Sequence, residues 1–277
     1  MKKYIAVVLA VLCGIAAQAQ TKSFPKIDQK GRIAIVAHRG FWKCDAAGYS
    51  ENSLASLKAA QKAGLWGSEC DIHLTKDDVI IVNHNNDVDG HRIADHTYAQ
   101  LQKFLLPNGE CRPTFEQYLA QAKKSRKTRL VIELKIQPNL SREDLLVDKT
   151  IAALKKYGMY DPRRVLFISF SLHMTELIAR KCPEFVNQFL TSEKNVDHNP
   201  QIYCDKAING VDFHYNLFTA HPEWVETAHR CGMSVNAWTV NKTDDIKRMI
   251  DCKVDAITTN EPLLVRSLLG KKNEWRK

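Results

Sequence analysis

The chain has 277 residues, of which 44% are hydrophobic and 26% charged, and 40 Lys+Arg against 31 Asp+Glu give a formal charge of +9. That length suits one α/β barrel better than two small domains, and no Gly/Ser- or Pro-rich linker, low-complexity tract or fixed-period repeat divides it. The positive excess could steer anionic substrates or rest against acidic headgroups. Solvated lysines on outer helices account for it more simply, and it falls short of a nucleic-acid interface.

In chain order, Met1 to Ala19 reads as a secretory signal. Lys2 and Lys3 supply the positive start, Tyr4 to Ala17 an apolar stretch, and Ala17-Gln18-Ala19 a small-x-small cleavage pattern. The apolar stretch is shorter than the about 20 residues of a membrane span, and no later segment approaches it, so no stable membrane insertion is expected. Residues 20–277 are expected to form a single domain of an exported protein, in a bacterial periplasm. Cys13 leaves with the signal, and the other cysteines are scattered singly without a Cys-x-x-Cys, against zinc ribbons or thioredoxin chemistry. The seven that remain are odd in number, so at least one thiol is unpaired.

Short β-branched runs then alternate with helical stretches, the pattern of a parallel α/β fold. The expected strands are Ile33–Ala37, Ser68–His73, Leu130–Leu134, Val165–Ser169, Val186–Leu190, Val211–His214, Ser234–Thr239 and Asp255–Thr258. Helices are expected over Ser53–Ala63, Arg142–Lys156, Leu172–Lys181, Pro222–Cys231 and Thr243–Asp251. Eight parallel strands predict a TIM (β/α)8 barrel with its site at the strands' C-terminal ends. An added strand, Val79–Asn83, follows the second barrel strand so closely that only an antiparallel hairpin is possible. Folding about Lys76-Asp77 would place Asp71 opposite Val82 and Glu69 opposite His84. The basic run from Lys123 to Arg129 falls at a helix end, where cations complement the helix dipole.

Glu69 and Asp71 carry the chemistry. Side chains at i and i+2 of a strand share a face, so two carboxylates lie together while Cys70 and Ile72 point the other way. Burying two anions side by side needs a proton or a cation, and a hard divalent metal is the simplest compensation. A solvated hairpin edge is the bland alternative for this pair alone. Glu133 and Lys135 repeat the i, i+2 pattern on an otherwise apolar strand, and His38-Arg39-Gly40 ends the first strand. Carboxylates to hold a metal, Arg39 and Lys135 to meet a phosphodiester's charge and two imidazoles for acid and base make a site for phosphate chemistry. Structural alternatives stand beside each: a strand-end His38, an Arg39–Glu51 ion pair, a Glu133–Lys135 salt bridge. His73 is expected on the surface near the hairpin tip. His91, His96, His173, His198, His221 and His229 are expected to face solvent, and His214, near a strand end, is a lesser candidate for lining the cleft.

At this point the sequence resembles the glycerophosphodiester phosphodiesterases, from about Ile33 to Ser267. The matching pieces are Ala37-His-Arg-Gly40, Ser50-Glu-Asn-Ser53, Glu69-Cys-Asp71 with Thr75-Lys-Asp77, His84, Glu133-Leu-Lys135, Val235-Asn-Ala-Trp-Thr-Val-Asn241 and Val254-Asp-Ala-Ile-Thr-Thr-Asn260. The resemblance implies a TIM barrel that hydrolyses glycerophosphodiesters to glycerol 3-phosphate and an alcohol. It implies one divalent cation, Mg or Ca, on Glu69, Asp71 and Glu133, with His38 and His84 as the acid/base pair. Arg39 and Lys135 would hold the phosphate, and Trp238 would pack against the glycerol.

Asn85 departs from the family's usual Asp after the second histidine, Ser50 from Pro, and Asp78 from a turn Gly. The segment from His84 to Pro113 is short, which predicts a small loop element and an open cleft. A lysophospholipase-D or phosphoinositide specificity stays open, as does a non-catalytic barrel that binds phosphoesters. A glycoside hydrolase would need neither His38-Arg39 nor Lys135, and its activity would survive chelation.

Overall fold

A computed structural model of the chain describes Ile27 and residues 32–273. The expected signal segment, Met1 to Ala19, lies outside the described residues.

Eight parallel strands close on themselves. They are β1 (Ala34–Ala37), β2 (Gly67–Leu74), β6 (Arg129–Leu134), β7 (Val165–Ser169), β8 (Val186–Thr191), β9 (Gly210–His214), β10 (Ser234–Trp238) and β11 (Ala256–Thr259), and β1 pairs with both β2 and β11. Each expected strand is present to within a residue or so, because apolar β-branched runs bounded by turn residues have little alternative in a buried parallel sheet. Outward residues such as Cys70, Ile72 and Leu74 pack on the helices, together with Phe115, Phe167 and Phe185. Inward residues, among them Val36, Val131, Leu166, Ile168 and Leu190, fill the barrel. Burying each such side chain contributes about 1.5–3 kcal/mol.

The helices that follow the early strands start on side-chain caps. α1 (Leu54–Lys62) begins at Ser53, whose hydroxyl accepts from Ser56 N, and α4 (Leu140–Lys156) begins at Asn139, which accepts from Arg142 N. α5 (Leu172–Lys181) is capped by Ser171, and α3 (Phe115–Ala122) by a Thr114/Gln117 capping box. α8 (Glu223–Arg230), α9 (Thr243–Asp251) and α10 (Pro262–Asn273) complete the outer layer beside the later strands.

The hairpin register differs from expectation by one residue. β3 (Ile80–Val82) pairs antiparallel with β2 as Ile72↔Val82, His73↔Ile81 and Leu74↔Ile80, so Asp71 faces Asn83 rather than Val82. Thr75 N bonds Val79 O, and its hydroxyl accepts from Val79 N, so the loop between them has three residues and not two. Asp78 takes the left-handed conformation (φ 60°) that closes such a loop. His84 thus lies past the end of the ladder, on the bend that leaves β3.

Between β3 and α3 the chain forms a small element: β4 (Asp87–Val88) paired with β5 (His91–Arg92), and α2 (Tyr98–Leu101). Val88, Ile93 and Leu101 pack on Ile81 of β3. This covers the hairpin tip, so His73 is buried and not on the surface as expected. His198 is buried too, against expectation, with its ring nitrogens on Thr191 Oγ1 (3.2 Å) and the Tyr203 hydroxyl (2.6 Å). The seven cysteines of the described residues are all free thiols.

Candidate active site

Register does most of the assembly. In the β2–β6 pairing Asp71 is the direct partner of Glu133, so the third carboxylate meets the first two across neighbouring parallel strands. Glu69, Asp71 and Glu133 are all buried and can each offer one oxygen within 4.8 Å of the others.

Each carboxylate has its own partners. Glu69 Oε2 accepts from the backbone N–H of Arg39 at 2.6 Å, while its other oxygen is buried with no hydrogen-bond partner. Asp71 Oδ2 accepts from Asn52 Nδ2 at 2.8 Å, and Asn52 Oδ1 accepts in turn from Asp71 N. Lys135, one residue beyond β6, places its ammonium 2.8 Å from Glu133 and 3.4 Å from Asp71. The Glu133–Lys135 ion pair, the bland alternative of the sequence, is therefore present. So is the Arg39–Glu51 pair at 2.8 Å, although the same guanidinium also comes within 4.0 Å of Asp71.

Burial pushes the Glu69 and Glu133 carboxyls up, and the neighbouring carboxylates push them further. Burial also disfavours the Asp71 anion, but the ammonium of Lys135, the two histidines and the Asn52 bond outweigh it and hold Asp71 below the usual range. Lys135 keeps its proton because Glu133 and Asp71 outweigh its desolvation.

His38 follows β1. Its Nδ1 lies 2.9 Å from Asn260 Oδ1, and the indole N–H of Trp42 reaches the same oxygen at 3.1 Å. An indole nitrogen only donates, which identifies that atom as the amide oxygen and makes His38 Nδ1 a donor. Nε2 then carries the lone pair. Burial, helped by the Arg39 charge, lowers His38 to about 4, so the ring is neutral at ordinary pH. Gly40 turns the chain here at φ 80°, where a Cβ would strike Ser56 Oγ at 2.2 Å. His84 Nδ1 lies 2.9 Å from Asn85 Oδ1, and burial also lowers this ring.

One cavity of ≈120 Å³ joins these groups. His38, Arg39, Glu69, His84, Glu133 and Trp238 all line it. Asp71 and Lys135 adjoin it through their contacts with Glu133. All eight residues expected from the sequence therefore converge on one place. Trp238 is held by its N–H on Asp212 O (2.9 Å) and stands edge-on to Phe170 and His214.

A model of the glycerophosphoryl diester phosphodiesterase family matches residues 38–264. The chain belongs to that family. With it the chain joins the enzymes that hydrolyse glycerophosphodiesters, on a barrel whose described residues include no helix long and apolar enough to cross a membrane. A crystal structure of a glycerophosphodiester phosphodiesterase from Parabacteroides distasonis is 36% identical, with a TM-score of 0.81, over 86% of this chain and 97% of that one. The Caldanaerobacter subterraneus glycerophosphodiester phosphodiesterase is 26% identical over 87% of this chain and 99% of its own length. An Oleispira antarctica phosphodiesterase, solved with the product sn-glycerol-3-phosphate, shares the fold at 21% identity and a TM-score of 0.73, over 87% of this chain and 98% of that one.

Three residues of this phosphodiesterase's site went unassigned in the sequence. Asn52 and Asn260 sit inside motifs that were legible, but nothing in an amide's spacing tells which carboxylate or imidazole it meets. Asp212 was findable by the rule that found Glu133, an acid on an inward position of an otherwise apolar strand.

Proposed function

We propose that this phosphodiesterase cleaves glycerophosphodiesters to glycerol 3-phosphate and an alcohol, with a divalent cation held by Glu69, Asp71 and Glu133. The observation that carries this is the buried carboxylate trio, two of whose members line the same cavity as two imidazoles. The trio fits a hard cation: it offers only oxygens, and Glu69 has a buried oxygen lacking any protein partner. When bound, Mg or Ca would offset phosphate charge and polarise a phosphoryl oxygen.

The chain's own residues do the rest. Arg39 and Lys135 present cations where a phosphodiester would lie between them. His38, neutral with its Nε2 lone pair free, takes the proton of the water that attacks phosphorus. His84, in its imidazolium form, gives a proton to the leaving oxygen as the P–O bond breaks. Trp238 offers a flat apolar wall to the glycerol carbons. The signal-like start supports export, with the substrate met outside the cytoplasm.

The test is release of glycerol 3-phosphate from glycerophosphocholine and glycerophosphoethanolamine, with EDTA and then with Mg or Ca restored. Turnover lost to the chelator and recovered with a metal is the expected result. Undiminished turnover in EDTA would remove the cation from the reading, and a folded protein inert with both metals would leave a phosphoester-binding barrel.

A further inference from the structure

Asp212 is 1% exposed, yet it lines the cavity from the β9 side. Its register neighbours on the flanking strands are Leu190 and Asn236. Oδ2 accepts from Asn236 Nδ2 at 3.0 Å, and Asn236 is itself held by Thr258 Oγ1 at 2.9 Å. Oδ1 is buried and has no hydrogen-bond partner. It stands outside the trio of possible metal ligands, and no Lys or Arg of the described residues forms an ion pair with it.

A buried acceptor without a partner is unfavourable unless something arrives to fill it. The arrangement holds one oxygen of Asp212 on Asn236 and leaves the other, on a residue that lines the cavity, without a partner. We propose that Asp212 is a specificity residue that binds the terminal hydroxyl of the substrate's glycerol, an inference that rests on the phosphodiesterase reading above.

The chemistry of the surroundings selects that ligand. A phosphate oxygen is excluded, because an anion would meet a carboxyl already close to Glu133. A hydroxyl both donates and accepts, so it matches Oδ1 whether or not the carboxyl carries a proton. Ile168, Leu190 and Trp238 give apolar walls beside it, suited to the carbons of a short polyol. The cavity, ≈120 Å³, is on the scale of a small polar fragment such as a short polyol. Of the glycerol hydroxyls, the terminal one reaches furthest from the reacting phosphorus, and Asp212 stands on β9, the strand opposite β2 in the ring, across from Glu69 and Asp71. A cationic headgroup is the rival occupant, since a carboxylate beside an aromatic ring also attracts an ammonium.

The experiment compares two phosphocholine diesters, one of glycerol and one of propane-1,2-diol, which lacks only the terminal hydroxyl. The wild-type enzyme should prefer the glycerol diester at least tenfold in kcat/KM. Asp212→Ala should lose at least tenfold on the glycerol diester, mainly through KM, and the preference should collapse towards unity. Asp212→Asn, of the same shape, should fall between, and it serves if the alanine variant does not fold. A bis(glycerol) phosphodiester, which has no ammonium, should show the same penalty as the choline diester.

Equal losses on both diesters would make Asp212 a structural residue and overturn the proposal. A penalty confined to the choline diester would assign Asp212 to the headgroup and overturn it as well, and so would a wild-type enzyme with no preference. A wild-type enzyme that releases no glycerol 3-phosphate at all would instead sink the phosphodiesterase reading, and this inference with it.

Discussion

The imidazole Nδ1 of His84 lies 2.9 Å from the side-chain oxygen of its own chain neighbour, Asn85. A neutral amide can orient the ring but does little to stabilise its protonated form. A carboxylate at the same place would favour the imidazolium. Asn85→Asp should therefore raise the pKa of His84 from its burial-lowered value. The limb of the pH–kcat/KM profile governed by His84 should move up by about 1 unit. An unmoved profile would mean that His84 does not titrate in the reaction.

His38→Gln and His84→Ala should each lower kcat by about 10²–10⁴ while leaving the melting temperature near that of the parent. The product assay with restored metal checks this, and full activity in either variant would remove that ring from the acid/base pair.

Protons and a metal compete for the carboxylate trio. Glu69 and Glu133 protonate above the ordinary carboxyl range in the metal-free fold. Their contribution to metal-free stability is thus present at low pH and lost as pH rises through those raised values. Added Mg or Ca should stabilise the protein more at pH 8 than at pH 5.5, the gain at pH 8 being about 2.7 kcal/mol at a hundredfold excess over the Kd at that pH. Thermal melts at the two pH values read this directly. Glu133→Gln should flatten the metal response at both.

His73 provides a second, opposite dependence. Burial lowers it to about 4, below the 6.5 of an exposed histidine. The unfolded chain then binds the proton more readily, so His73's contribution is complete above pH 6.5 and is lost as pH falls towards 4. Because the trio's sign is the reverse, the comparison must be made against a variant. Relative to His73→Gln, the metal-free wild type should lose about 2 kcal/mol between pH 7 and pH 5. Parallel stability curves for the two proteins would contradict the burial of a neutral ring.

The barrel was legible because its strands obey one strong rule, apolar runs between turn residues, and the inward acids broke that rule visibly. Glu69, Asp71 and Glu133 announced themselves in that way. Turn chemistry is a weaker guide: Lys76-Asp77 looked like a two-residue turn, and only the left-handed Asp78 shows that the loop holds three residues. His73 and His198 were misplaced for a related reason. Their burial depends on the 83–101 element and on Tyr203, segments whose docking leaves no periodic trace. Amide partners such as Asn52 and Asn260 belong to the same class, since their roles exist only in three dimensions.

The bond from His38 to Asn260 spans 222 residues and ties the first strand of the ring to the turn after the last. Synthesis delivers the chain N-terminus first, and the acidic trio, His38, His84, Arg39 and Lys135 are all made before residue 140. Asn260 comes near the end. The tautomer of the His38 ring is fixed only when β11 docks beside β1, so the last strand to be made completes the surroundings of a side chain made near the start.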